Sequence, residues 1–162
     1  MAGLARELAD IPATETRQMP FRKLKGKLPW PSVGNIRHKF GTPRGSGGLS
    51  WKGVLVTARP GTPVYAISHG RVAFADWLRG FGLLMIIEHG DGYMSLYGHS
   101  ESLFKDVGDW VETGALIGKV GDTGGREMSS LYFEIRHLGT PVDPVRWCGR
   151  GPAAQSAALV SP

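Results

Sequence analysis

"GLLMIIEHGDGYMSLYGHSESL", residues 82–103, decides the fold. Two apolar runs, each opened by a glycine, flank the turn "EHGDG". The turn is far too short to hold a crossover helix, so the runs are expected to pair antiparallel. "LLMII" is apolar at every position, so neither face of that strand can be wet and it belongs between two layers. Outward from this hairpin, glycine-bounded runs recur at 51–57, 62–67, 70–77, 109–111, 115–120 and 130–136, with the β-branched and aromatic residues that strands favour. The 24 glycines and 11 prolines in 162 residues supply turns between many short strands. The expectation is an all-β, mainly antiparallel domain over 29–148, a β-sandwich or partly open barrel with a groove on one sheet. Within it, 101–105 is the one stretch read as a helical turn.

The ends read differently. Residues 1–28 are polar, with Leu4, Leu8 and Ile11 at helical spacing before Pro12, which predicts a partly helical N-terminal arm. The stretch "GTPRGSGGLS" (41–50) reads as a flexible loop, and 149–162 as a flexible tail with little to bury. The first residues lack the apolar run of a signal peptide, and no stretch approaches a membrane span. Cys148 is the single cysteine, which excludes an internal disulfide and a cysteine-rich zinc site. A net charge of +5 favours anionic partners. Its densest source, "FRKLKGKLPW" (21–30), lacks the stacking platform of single-strand binders and reads as a solvated basic arm, not a nucleic-acid site.

Nor does the chain offer an obvious metal centre. His38, His69, His89, His99 and His137 fall on separate runs and turns, with no His-x-His or His-x₃-His pair. The hairpin "VGDWVETGALIGKVG" (107–121) resembles those of biotinyl and lipoyl carriers. Its Lys119 sits inside an apolar strand and not at an exposed tip, so shared turn chemistry accounts for the likeness.

The order of the pieces resembles one family over about 30–148: "WKGVLVTARPGTPVYAISHGRV" (51–72), then the opening hairpin, then "VGDWVETGALIGKVGDTG" (107–124), then "SLYFEIR" (130–136). It is similar to LytM-type domains of the M23, or lysostaphin-like, peptidases. The resemblance implies a first motif His-x-Gly-x-Asp and a last motif His-x-His, whose first-motif His and Asp and final His hold zinc. Laid on these motifs, Trp51, Leu55 and Tyr132 stand at the zinc positions and Ser130 at the helper histidine, while His99 keeps the family's residue. An indole N–H only donates, an alkyl group cannot coordinate and a neutral phenol is a poor zinc ligand. The expectation is therefore no metal, no cofactor and no catalysis.

Family members without zinc ligands are regulators, and the wording here is most similar to murein hydrolase activators. That resemblance implies a periplasmic protein, carrying a signal peptide and coiled coil ahead of the LytM domain. It implies docking through that coiled coil to a division ABC-transporter-like complex. It also implies switching on a zinc-dependent N-acetylmuramoyl-L-alanine amidase by capturing the helix that blocks it. Peptidoglycan is a further candidate partner; nucleic acid is not. The capturing groove is expected to use Lys52, Leu55, Leu84, Tyr97, Tyr132 and Arg136, with Trp51, His99 and Ser130 around the old metal pocket. Lys52 and Arg136 would form a basic rim. The alternative is a zinc-dependent M23 endopeptidase with an atypical site. For the arm two readings stay open: a helix that occludes the groove, or the end of a preceding coiled coil.

Overall fold

The computed structural model describes residues 19–45, 47–123 and 128–149. Ten strands follow one another: β1 (Asn35–His38), β2 (Val54–Thr57), β3 (Pro63–Tyr65), β4 (Gly70–Leu78), β5 (Gly82–Gly90), β6 (Tyr93–Leu103), β7 (Trp110–Val111), β8 (Leu116–Val120), β9 (Ser130–His137) and β10 (Thr140–Val142). A one-turn helix α1 (Pro144–Trp147) closes the described chain, capped by the Asp143 carboxylate, which accepts from Val145 N–H. All strand pairings are antiparallel, in the order β1-β2-β9-β6-β5-β4-β7, with β10 on β9 and the β3–β8 pair joined to the far half of β6. The expected all-β, mainly antiparallel fold is borne out.

β6 organises the molecule because it serves two layers. Residues 93–98 pair with β5 and β9, Ser100 pairs with both Leu83 of β5 and Val120 of β8, and Ser102 and Leu103 pair with β8 alone. The bend between them falls at His99, whose φ of 64° is one that few side chains adopt. Its N–H donates to Phe81 C=O at 2.7 Å, and its own C=O accepts from Gly121 N–H. The core fills the angle so formed. Val54, Val56, Met85, Ile87, Tyr97, Leu131, Phe133 and Ile135 from the main sheet meet Val64, Ala66, Ile67, Ile117 and Val120 from the second layer. Met85 and Ile87 thus bury one face of "LLMII", while Leu84, fully enclosed, lies on the opposite face.

Three sequence readings need correction. The stretch 101–105 forms no helical turn: 101–103 continue β6, because Ser102 and Leu103 find partners in Lys119 and Gly118. Phe21 and Leu28, read as part of a solvated arm, are core residues. Phe21 stacks on His89 and Trp147, and the N–H groups of Gly26 and Leu28 both donate to Trp147 C=O. The loop 41–50, read as flexible, is tied across its base: Gly41 N–H donates to Trp51 C=O, Trp51 N–H to Thr42 C=O, and Arg44 N–H to Leu49 C=O. The helix read at Leu4, Leu8 and Ile11 and the tail from 150 onward lie outside the described residues.

Candidate functional site

Strand alternation and register decide which side chains share the face opposite the core. Leu55 of β2 pairs with Tyr132 of β9, and Tyr132 with Gly98 of β6. Leu96 lies opposite Glu134, Met94 opposite Arg136, Ile86 opposite Leu96, and Asp76 opposite Leu84. Gly98 is needed there, since a Cβ would sit 3.2 Å from Phe81 C=O and 3.5 Å from Tyr132 Cβ. The face therefore runs from Leu55 through Tyr132, Glu134 and Arg136 to Leu96, Met94, Leu84 and Ile86.

At its closed end Trp51, Leu55 and Tyr132 form a small apolar cluster of their own, all buried, with Phe81 packed against it. The Trp51 ring lies 6.3 Å from the Tyr132 ring and stacks on His38 at 4.6 Å, while the Arg44 guanidinium sits 4.1 Å from its centroid. His99 is buried beside Tyr132, with ring centroids 6.1 Å apart, and its Nδ1 meets Thr123 C=O at 2.6 Å. Because a carbonyl only accepts, that contact places a proton on Nδ1. Thr123 is held by donating its hydroxyl to Ser100 C=O. Ser130 is fully enclosed; its hydroxyl donates to Met128 C=O and its N–H to Gly121 C=O.

The phenol of Tyr132 donates to Glu134 Oε2 at 2.5 Å, and Arg136 Nε donates to Glu134 Oε1 at 2.6 Å. Glu134 is only 1% exposed, so its charge is stabilised by these two donors and not by water. Burial, then the carboxylate that accepts its hydrogen bond, pushes the Tyr132 phenol far above its ordinary range. The same carboxylate raises the Arg136 guanidinium. The row Tyr132, Glu134, Arg136 is the i, i+2 face of "SLYFEIR". Sequence reading took its two ends and missed the carboxylate between them.

The geometry sorts the expected groove residues. Lys52 is exposed beside Trp51, and Arg136 is half-buried, its Nε committed to Glu134 and not to an incoming partner. Leu55, Leu84 and Tyr132 form a covered floor. Tyr97 is not brought to this face. Opposite Phe133 in register, it points into the core, where Ile67 N–H donates to its hydroxyl and Ser95 Oγ lies 2.7 Å away. The half-exposed apolar side chains on the open part of the face are instead Ile86 and Met94, with Phe74 opposite Ile86. Alternation in "YMSLYG" separates Met94 and Leu96 from Tyr97, but apolar residues on both faces hide which set is outward.

The sequence profile of Peptidase family M23 matches residues 49–144. The chain belongs to that family. The resemblance read from the sequence is thus borne out. Murein hydrolase activator EnvC of Escherichia coli is 47% identical over 126 residues, covering 78% of this chain and 30% of that protein. A lipoprotein NlpD/LppB homolog of Pseudomonas aeruginosa is 39% identical over 126 residues, 77% of this chain and 41% of that one. Among solved structures, the antimicrobial peptidase lysostaphin from Staphylococcus simulans superposes with a TM-score of 0.66 at 30% identity, over 76% of this chain and 54% of that chain. The chain spans less than half the length of these two curated relatives. The three residues expected at the family's zinc positions, Trp51, Leu55 and Tyr132, do not fit a zinc ion. They offer an indole, an isobutyl group and a phenol already donating to Glu134.

Proposed function

We propose that this M23 domain is a non-catalytic activator of zinc-dependent N-acetylmuramoyl-L-alanine amidases, acting in cell division in the bacterial envelope. The observation that carries it is the apolar cluster Trp51, Leu55 and Tyr132, which fills the place of a metal centre at the end of a half-open apolar face. A similar protein named as a murein hydrolase activator supports the reading, and another named as a lipoprotein supports the envelope location.

The mechanism is competition. The face presents Ile86, Met94 and Phe74 to the apolar stripe of the amidase's blocking helix, and Lys52 to its carboxylates or C-terminal carbonyls. Capture of that helix shifts the amidase toward its open state by the difference in the helix's affinity for the two seats. A single helix buries little area, so affinity near 1 μM, about 8 kcal/mol, suffices for a switch.

The test mixes the chain with candidate amidases and follows release of dye from labelled murein. Stimulation by the chain, with no release by the chain alone, is expected. Lysis by the chain alone that a chelator abolishes would overturn the reading in favour of an M23 endopeptidase.

A further inference from the structure

A sheet edge stays unpaired in water when something makes it a poor template: few residues, a proline, or charge. Three edges here follow that rule. β1 has four residues and carries Arg37 and His38, β3 has three with Pro63, and β10 has three with Pro141. β4 does not follow it. Its nine residues pair with β5 along one side. On the other side β7 covers only Gly70 and Arg71, and the last backbone bonds join Val72 to Gly108 and Asp109. From Ala73 to Leu78 that side has no strand partner among the described residues.

The open side presents hydrogen-bonding groups and apolar side chains together. Leu83 N–H donates to Thr123 Oγ1 and so turns away from Trp77, its partner across the hairpin. Trp77 and Leu83 are therefore a non-hydrogen-bonded pair, and the backbone N–H and C=O of Trp77 point outward. That N–H is occupied only by the carboxylate of the preceding residue, Asp76, at 2.7 Å. Alternation turns the backbone groups of Ala75 outward as well. Trp77 and Leu78 are 54% and 41% exposed, and Asp76 is the one charge in 73–78.

We propose that 73–78 is a self-docking edge, on which a second copy of this chain adds its own β4 antiparallel to make one continuous sheet. The strand is its own complement. A two-fold axis at Ala75 sets Ala75 against itself, Trp77 against exposed Ala73, and Asp76 against Phe74, so a large ring meets a methyl group and no like charges face each other. An axis at Asp76 would oppose two carboxylates. Because a two-fold normal to a sheet does not exchange its faces, the Phe74, Ile86 and Met94 side chains of both copies lie on one surface. The pairing is independent of what that surface binds. One short strand pair buries less than a standard interface, so a dissociation constant of about 100 μM is expected.

The test is sedimentation equilibrium of the full chain from about 10 μM to about 1 mM, with amide hydrogen exchange measured at both ends of that range. Wild type is expected to pass from monomer to dimer. Exchange at Ala75 and Trp77 should slow at high concentration, while the Asp76 amide, turned toward β5, should not change. Trp77→Lys/Leu78→Lys, which charges the edge, is expected to weaken association about ten-fold or more, with the unfolding midpoint near wild type. Asp76→Ala, which frees the Trp77 N–H, is expected to tighten it about three-fold. A chain that stays monomeric to about 1 mM, a dimer that survives the lysine pair, or a dimer whose Ala75 and Trp77 amides exchange as in the monomer would each overturn the assignment.

Discussion

The phenol, carboxylate and guanidinium of Tyr132, Glu134 and Arg136 decide what single substitutions do at the filled site. Tyr132→Phe removes one of two donors from a buried carboxylate, and unfolding in urea is expected to show a loss of about 1–3 kcal/mol. Arg136→Met leaves the same carboxylate without its cation and is expected to cost more, about 3–5 kcal/mol. Glu134→Gln should be milder than Arg136→Met, because it removes the charge that needs the partner. Tyr132→Ala is then mainly a stability variant, since it opens a cavity against Trp51 and Phe81 as well as stripping Glu134. That Trp51, Leu55 and Tyr132 share one place was legible in the sequence because they sit at fixed offsets within two short motifs. Glu134 was legible in principle from the two-residue period of "SLYFEIR", but its burial was not, because what covers that face comes from distant parts of the chain.

Among the elements, β5 and β6 share a polar chain that the core must tolerate. His89 Nδ1 meets His69 C=O at 2.8 Å, its Nε2 meets Ser95 Oγ at 2.7 Å, and Ser95 reaches Tyr97. Burial lowers the His89 pKa from 6.5 to about 4, against the opposing hydrogen bond to His69. Between those values the unfolded chain takes up a proton that the folded chain refuses, so stability falls as pH falls from about 6.5 to about 4 and then levels off for this group. The full loss is about 3 kcal/mol. Denaturant midpoints measured at pH 7 and pH 4.5 should differ accordingly, and His89→Gln should flatten that dependence. The glycine-bounded strands were readable because turn chemistry is local. The face that Tyr97 takes, and the continuation of β6 through 101–103, depend on pairing with β8 and β9, which local pattern does not carry. β1, β10 and α1 escaped the sequence reading for a related reason. Their three or four residues hold shape by docking on neighbouring strands, β2 for the first and β9 for the second.

At the scale of the molecule, the bent β6 gives one face of the main sheet to the core and leaves Ile86, Met94 and Phe74 half-exposed on the other. Met94→Glu and Ile86→Glu place a carboxylate on the half-exposed strip without touching the core. They are expected to abolish stimulation in the dye-release assay while leaving the circular dichroism spectrum and the unfolding midpoint near wild type. Stimulation at the wild-type level in both would place the amidase elsewhere. Cys148 adds nothing reactive to this surface: its thiol is buried and pushed up to about 12, so it should resist alkylation until the chain unfolds. The pairing of Tyr132 with Glu134 has one more consequence, for anyone wishing to install a zinc ion at this cluster. Tyr132→His alone strands the Glu134 carboxylate, Leu55→Asp alone buries a second unpartnered one, and Trp51→His alone forfeits the seat of Arg44. Each step by itself loses stability with no metal to repay it, so only the triple exchange, made in the presence of zinc, is expected to hold the fold.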